Sequence, residues 1–250
     1  MLKEERHKFI LKEINLHNKV LSTDLAEQLA VSDDTIRRDL NELADLGLIV
    51  KVHGGAMGKI FHYPFNGQNQ VYALEAKQVI ADKAIKLIKS GMVVLVEGGT
   101  TITEIARRIP EDLEANFFAV SPQVSFVLAE HENLEVMTIG GRLTKNCTIH
   151  TGASVINELS GIKADLCIIG SNGISVQDGL TDSDWEIVQV IKAMMRSAKK
   201  VAVVSIAEKL GTVQKIKISD LSNIDYIITE LPPDNPALLP FIGAGKPVVL

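Results

Sequence analysis

The stretch VSDDTIRRDL sets Ser32, Thr35, Arg37 and Arg38 close together, and LIVKVHGG adds Lys51 and His53 shortly afterwards. These residue types suit contact with nucleic acid. An arginine can chelate the acceptor edge of guanine or clamp a phosphate, and a threonine hydroxyl can meet either. Lysine and histidine on a following strand can reach the flanking backbone. The same residues also have a plainer use. Asp33 with Arg37, and Asp34 with Arg38, are spaced i, i+4, the interval of surface ion pairs on a helix. Such pairs contribute only about 0.2–0.5 kcal/mol each, so exchanging one for a DNA contact costs little. Asp33 and Asp34 also favour the positive end of a helix that starts after Ser32.

VVLVEGGTTITEIARRI carries a second possibility. Gly98 and Gly99 allow close backbone approach, Thr100 and Thr101 offer hydroxyls, and the helix start presents unpaired N–H groups to an anion. An ordinary corner between a strand and a helix uses the same glycines. Two further glycine turns follow strand-like runs: IGGRLTKN with Gly140 and Gly141, and IIGSNGIS with Gly170 and Gly173. In an open α/β sheet, loops at the carboxyl ends of the strands collect along one edge, where ligands bind. His150, in TIHTG, lies near this expected pocket, and Trp185 either lines it or belongs to the core. The six histidines show no metal-ligand spacing. No Ser-His-Asp arrangement is readable, and neither a metal nor a cofactor is expected.

Two kinds of scaffold are needed to hold these residues. Near the start, three short helical patterns follow one another. Phe9, Ile10 and Ile14 share a face in Lys3 to His17, and Leu25, Ala26 and Leu29 do so in Thr23 to Ala30, with Ser22 placed as a cap. The third places Ile36, Leu40 and Leu43 inward and leaves Arg37 and Arg38 outside, with Gly47 as its terminator. LIVKVHGGA reads as a short strand and a turn back. Residues 57–74 are irregular, with Pro64 and Gly67, and read as a linker. Beyond them MVVLV, NFFAV, LEVMTI, ADLCIIG, KVAVVS, DYIIT and PVVL alternate with helical stretches. Such continuous apolar runs fit strands of a parallel sheet covered on both faces.

Composition limits the partners. With 46% apolar and 23% charged residues the chain can bury a large core. A net charge of −5 excludes a positive field over the whole molecule, so phosphate contact must come from a local patch. The first 60 residues are roughly charge-balanced, so affinity must rest on a few placed cations, and Arg37, Arg38, Lys51 and His53, on one helix and one wing, are those expected to supply it. Cys147 and Cys167 lack ligand spacing and suit a reducing compartment. No apolar run approaches the ~20 residues of a membrane span, and the N-terminus is no secretion signal, so a cytoplasmic protein is expected.

ERHKFILKEI, LAEQLAVSDDTIRRDLNELADLGLIVKVHGGA and the later segments together resemble the DeoR family of bacterial transcriptional regulators. The resemblance implies a winged helix-turn-helix over residues 1–57, a linker over 58–74, and an α/β effector-sensing and oligomerisation domain over 75–250. It implies double-stranded operator DNA as partner, a phosphorylated sugar or related metabolite as effector, a sensor built like sugar-phosphate isomerases and coenzyme A transferases, and a homo-oligomer, dimer or tetramer. The glycine loops are assigned by the resemblance to effector binding. Glu97 stands where the family often has a shorter acid, Ser121-Pro122 replaces a Thr-Asn pair, and Gln68 stands near a common arginine. In IAEKLG, Lys209 and Gly211 are kept while Ile206 replaces an acid, and Lys77 matches a family lysine. Asn172 is neutral where related isomerases carry carboxylates, which argues against catalysis. The expected mechanism is a ligand-driven change in the spacing of two DNA-reading heads, which on a palindrome stand about 34 Å apart or a multiple of that. The Pro64 and Gly67 segment is the expected flexible point. Two alternatives stay open: an isomerase-like enzyme with an accessory DNA-binding head, and a constitutive DNA-binding protein with a degenerate sensor.

Overall fold

The computed structural model describes residues 1–17, 19–58, 71–144, 149–244 and 247–250, so Pro64, Gly67, Gln68 and Cys147 lie outside the described residues. The chain divides into two compact units, with the boundary after Tyr72.

The first unit opens with α1 (Lys3–His17), β1 (Lys19–Leu21), α2 (Ser22–Leu29) and α3 (Asp33–Asp45). Strands β2 (Ile49–Val52) and β3 (Gly55–Gly58) follow, and β1 joins them in a three-stranded antiparallel sheet with β3 in the middle. Ile10, Ile14, Leu25, Ile36, Leu40, Leu43 and Ile49 close the core between helices and sheet. The expected helix–turn–helix and its strand are present, and β1 is an addition that its three residues did not announce. Ser22 is not the cap of α2. That position is Leu21, which makes no side-chain cap bond, while the Ser22 hydroxyl donates to the Gly54 carbonyl at 3.2 Å. The hydroxyl thereby ties α2 to the turn between β2 and β3. Helix α2 also ends one residue earlier than its pattern, because Ala30 turns left-handed at φ 51°. Gly47, at φ 68°, ends α3 as its spacing suggests. Its N–H donates to the Ala44 carbonyl and the Leu48 N–H to the Leu43 carbonyl, so both orphan carbonyls are satisfied.

The second unit is built on a seven-stranded sheet. The strands are β4 (Val93–Val96), β5 (Ala115–Ala119), β6 (Leu134–Thr138), β9 (Ala164–Gly170), β12 (Ala198–Val204), β14 (Tyr226–Ile228) and β15 (Val248–Val249). Their order is β15-β14-β12-β9-β4-β5-β6, and every pair is parallel. All seven apolar runs of the sequence therefore become strands of one sheet. The two edges differ from the expected fully covered pattern: Met137 of β6 and Val248 of β15 are exposed, because an edge strand has a neighbour on one side only. The chain runs outward from β4 through β5 to β6, then returns to place β9 on the other side of β4. Right-handed crossovers require the helices of these two halves to lie on opposite faces. Helices α4 (Leu74–Ala84), α5 (Thr100–Arg107) and α6 (Pro122–Leu128) pack in one row, and α7 (Ala153–Ser160) packs on α8 (Trp185–Arg196).

Two small antiparallel sheets complete this unit. Strands β7 (Arg142–Leu143) and β8 (His150–Thr151) pair with each other. Strands β10 (Gly173–Ser175), β11 (Gly179–Asp182) and β13 (Ile216–Ser219) form the other. Among the described residues no helix is long and apolar enough to cross a membrane.

Candidate nucleic-acid interface and effector site

Helix α3 is held at both ends by local chemistry. The Ser32 hydroxyl accepts from the Thr35 N–H at 3.2 Å and lies 2.9 Å from the Thr35 hydroxyl. Both residues thus build the first turn, and Asp33 and Asp34 sit where the helix dipole favours them. Ile36, Leu40 and Leu43 are buried, which turns Arg37 and Arg38 outward into solvent. Arg37 pairs with Asp33 at 2.9 Å as its spacing suggests. Among the described residues no ion pair includes Arg38, so the second expected pair is not formed and that guanidinium stays available. Lys51 of β2 is exposed and donates to the Asn41 side chain of α3, so wing and helix cations share one side of the unit. His53 stands exposed in the turn before Gly54. Gly55 is required there: a Cβ on it would stand 1.9 Å from the Val20 carbonyl oxygen, where β1 meets β3.

Sequence reading missed the element that anchors this helix. Asp39, almost fully buried, receives Arg6 of α1 through two bonds of 2.7 and 3.1 Å and lies 3.2 Å from His7. Burial by itself raises the Asp39 pKa. The Arg6 hydrogen bonds and charge, joined by His7, outweigh it and hold the carboxyl below its usual range. A signal was present, since Asp39 falls three residues after Ile36 on the inward face of α3.

In the second unit the glycine loops expected to hold an anion include those of β4 and β9, the neighbouring strands where the strand order reverses. Gly99 caps α5 at φ 102°, with no side-chain cap bond. The Thr103 N–H returns to the Gly99 carbonyl, so the N–H groups ahead of it point past the helix start. Thr100 and Thr101 occupy that first turn, half-buried. Gly98 permits a close approach: a Cβ there would lie 2.4 Å from Ile149 and 3.2 Å from the Ser121 Cβ. Ser121 is buried at the start of α6.

Glu97 links the two loops of the reversal, accepting the Gly170 N–H at 2.7 Å. The residue is only partly covered, yet withdrawal of its carboxyl from water pushes its pKa up to about 8. The Gly170 bond opposes this, nearby Asp182 adds to it, and Lys209 opposes it. Lys209 arrives from the turn after β12 and donates to the Ser171 carbonyl at 2.8 Å. Lys77 of α4 is buried, and desolvation followed by the repulsion of Lys209 lowers its pKa to about 8, with Glu104 acting in the opposite sense. Lys209 is thus coupled to Lys77 on one side and to Glu97 on the other, with Glu104 beside Lys77 and Asp182 beside Glu97. An anion in their midst gains from both lysines in surroundings where charge interactions are strong.

Asp182 is the residue that sequence reading overlooked. The pairing of Gly173 with Thr181 brings it beside Asn172, whose side chain bonds to it. Burial raises its pKa, while the N–H groups of Asp184 and Ser183 and the Asn172 amide act against this. Asn172 thus has a carboxyl partner, and its neutrality alone does not decide against acid–base chemistry. Gly140 and Gly141 follow β6, at the edge of the sheet. Gly141 packs at the start of α7, where a Cβ would stand 2.5 Å from Val155. Gly173 lies in β10 and not in the turn. His150 bonds through its ring Nδ1 to the Ile139 carbonyl at 2.8 Å, and its backbone N–H donates to the Val120 carbonyl. Trp185 is 64% exposed and so does not belong to the core. Asp184 caps α8 through the N–H groups of Glu186 and Ile187, and Glu186 pairs with Arg142.

Comparison with known proteins follows the same division. Residues 6–58 match the DeoR-like helix-turn-helix domain and residues 73–231 the DeoR C terminal sensor domain. The HTH-type transcriptional regulator GlpR of Haloferax volcanii is 33% identical over 92% of this chain and 91% of its own length. The HTH-type transcriptional repressor GlcR of Bacillus subtilis is 31% identical over 94% and 91%. The glycerol-3-phosphate regulon repressor of Escherichia coli is 27% identical over 93% of each. A solved ribose 5-phosphate isomerase A of Methanocaldococcus jannaschii matches 55% of this chain and 54% of its own at 19% identity and a TM-score of 0.41. With a reader at one end and a sensor over most of the remainder, the chain belongs to the DeoR family of transcriptional regulators.

Proposed function

We propose that this protein represses transcription by binding operator DNA through α3 and the wing, and that a phosphorylated sugar or related metabolite bound at the β4–β9 reversal weakens that grip. The convergence of Lys77, Lys209 and the free start of α5 carries the effector half of this reading, because it suits a compact dianion attached to a polar body. Glu97, Asp182 and Asn172 are the groups to receive the hydroxyls of that body, with Ser121 and the Thr100 and Thr101 hydroxyls beside the anion. Ser32 and Thr35 order the first turn of α3, Arg37 and Arg38 face the DNA, and Lys51 and His53 meet the flanking phosphates. The named relatives include a glycerol-3-phosphate regulon repressor, which fits an effector of this size. The active form is a homo-oligomer, a dimer or a tetramer, working in the cytoplasm and not as an enzyme.

Fluorescence anisotropy on a duplex selected by the protein from a random library tests both halves. Glycerol 3-phosphate and a panel of phosphorylated hexoses and pentoses are expected to include one that releases the duplex, and Lys209→Ala to abolish the release without loss of DNA binding. Silence across the panel removes the sensing half. Turnover of any panel member by the purified protein favours the isomerase reading, for which Glu97 and Asp182 supply the paired carboxyls.

A further inference from the structure

The charged cluster between α1 and α3 is not explained by stability. A buried ion pair is often no better than apolar residues of similar volume, because desolvation offsets the Coulombic gain. Here the arrangement is elaborate. Arg6 approaches Asp39 with two nitrogens, His7 approaches the same carboxylate from the same helix, and Lys3 reaches Glu42 at 2.5 Å one turn further along α3. The Arg6 side chain is 14% exposed and that of Asp39 only 3%.

What such a pair supplies, and apolar packing does not, is direction. Ile36, Leu40 and Leu43 hold α3 against the core, but burial of apolar surface is non-directional and tolerates a small roll of the helix. A two-pronged guanidinium–carboxylate contact has one geometry. With side chains included a helix is about 10–12 Å across, so a roll of roughly 10° displaces a surface side chain by about 1 Å. That is enough to spoil a paired contact to a base edge. Asp39 follows Arg38 directly and lies one turn beyond Thr35, so its azimuth sets theirs.

We infer that Arg6 and His7, acting through Asp39, are positioning residues for DNA recognition, fixing the roll of α3 and with it the discrimination between operator and other DNA. The inference rests on α3 being the reading helix. The full-length protein and the duplex it selects from a random library serve as probes, beside a scrambled duplex of equal length and a thermal melt of every variant. The double variant Arg6→Met/Asp39→Leu replaces the pair by apolar volume. It is expected to melt at or above the native temperature, to hold the scrambled duplex as the native protein does, and to bind the selected duplex at least tenfold more weakly. The slope of affinity against salt stays unchanged, because Arg6 touches no phosphate. Native discrimination in this variant overturns the inference, since a merely structural pair is replaced without loss. Should the double variant not fold, Arg6→Lys carries the test, because it keeps the charge and loses the fork. Reduced discrimination at a native melting temperature supports the inference, and native discrimination overturns it. Failure of the reader itself is recognised separately: if Arg37→Ala and Arg38→Ala leave binding intact, α3 is not the reading helix.

Discussion

Helix α3, the proposed DNA reader, and the proposed anion site at the β4–β9 reversal use charge in opposite ways. Arg37 is exposed and Lys51 stands in solvent on the neighbouring strand, whereas Lys77 is buried and Glu97 is withdrawn from water far enough to move its pKa to about 8. The difference follows from the size of the partner. A duplex is a long polyanion with its own counterions, so cations placed in water suffice to attract it and a few contacts specify it. A small metabolite touches only a handful of groups. Those groups must act where the dielectric is low, which means charges are desolvated before the ligand arrives. One site is therefore inexpensive to build and easy to see, and the other perturbs the groups that form it.

The contrast is most sharply broken in the core beneath the reader. Ile36→Ala should destabilise the first unit by about 2–5 kcal/mol, since Ile36 is fully buried and leaves a cavity. Differential scanning calorimetry is expected to show a lowered first transition and an unmoved second one. A drop of both transitions together would show that the units do not behave separately.

Glu97→Gln probes the desolvated site through pH. A carboxyl whose folded pKa lies above its unfolded value of 4.5 binds a proton more tightly when folded, so stability falls as pH rises from about 4.5 to about 8. The glutamine variant lacks this slope. Relative to the native protein it should gain about 3–4 kcal/mol between pH 5 and pH 8. Parallel stability profiles in urea titrations at the two pH values would refute the desolvation of Glu97.

At the reader, Arg38→Ala should weaken binding to the selected duplex by about 1–3 kcal/mol if Arg38 reads a base, with scrambled DNA unaffected. A uniform loss on both duplexes, with a flatter salt dependence, assigns it to phosphate instead. The smallest effect belongs to the cap. Ser32→Ala should cost about 1 kcal/mol of stability, read by thermal melting of the first unit, because the Thr35 N–H loses its partner. An unchanged melt would mean that the Ser32 hydroxyl does not hold the first turn.

Much of the architecture was readable because its signals are local. The seven apolar runs became the seven strands of the sheet, Ser32 opened α3, and Gly47 closed it. One local signal misled. Ser22 has the side chain of a cap, but the turn at Gly54 offered it a tertiary partner. Of the three glycine loops, those after β4 and β9 are joined by the Glu97–Gly170 bond, because strand order places β4 beside β9.

By itself, then, the sequence determined the ends of α3, the seven strands of the large sheet, the outward arginines and the family, since each depends on neighbours within a turn or a strand length. Only the tertiary structure decided which polar groups meet. Arg6 finds Asp39 33 residues away, and Glu97 finds the Gly170 N–H 73 residues away. Asp182 reaches Asn172 only once two strands pair. Such contacts are set by the order in which elements pack, driven by non-directional burial of apolar surface, and that order leaves no mark in the local spacing of the charged residues it brings together.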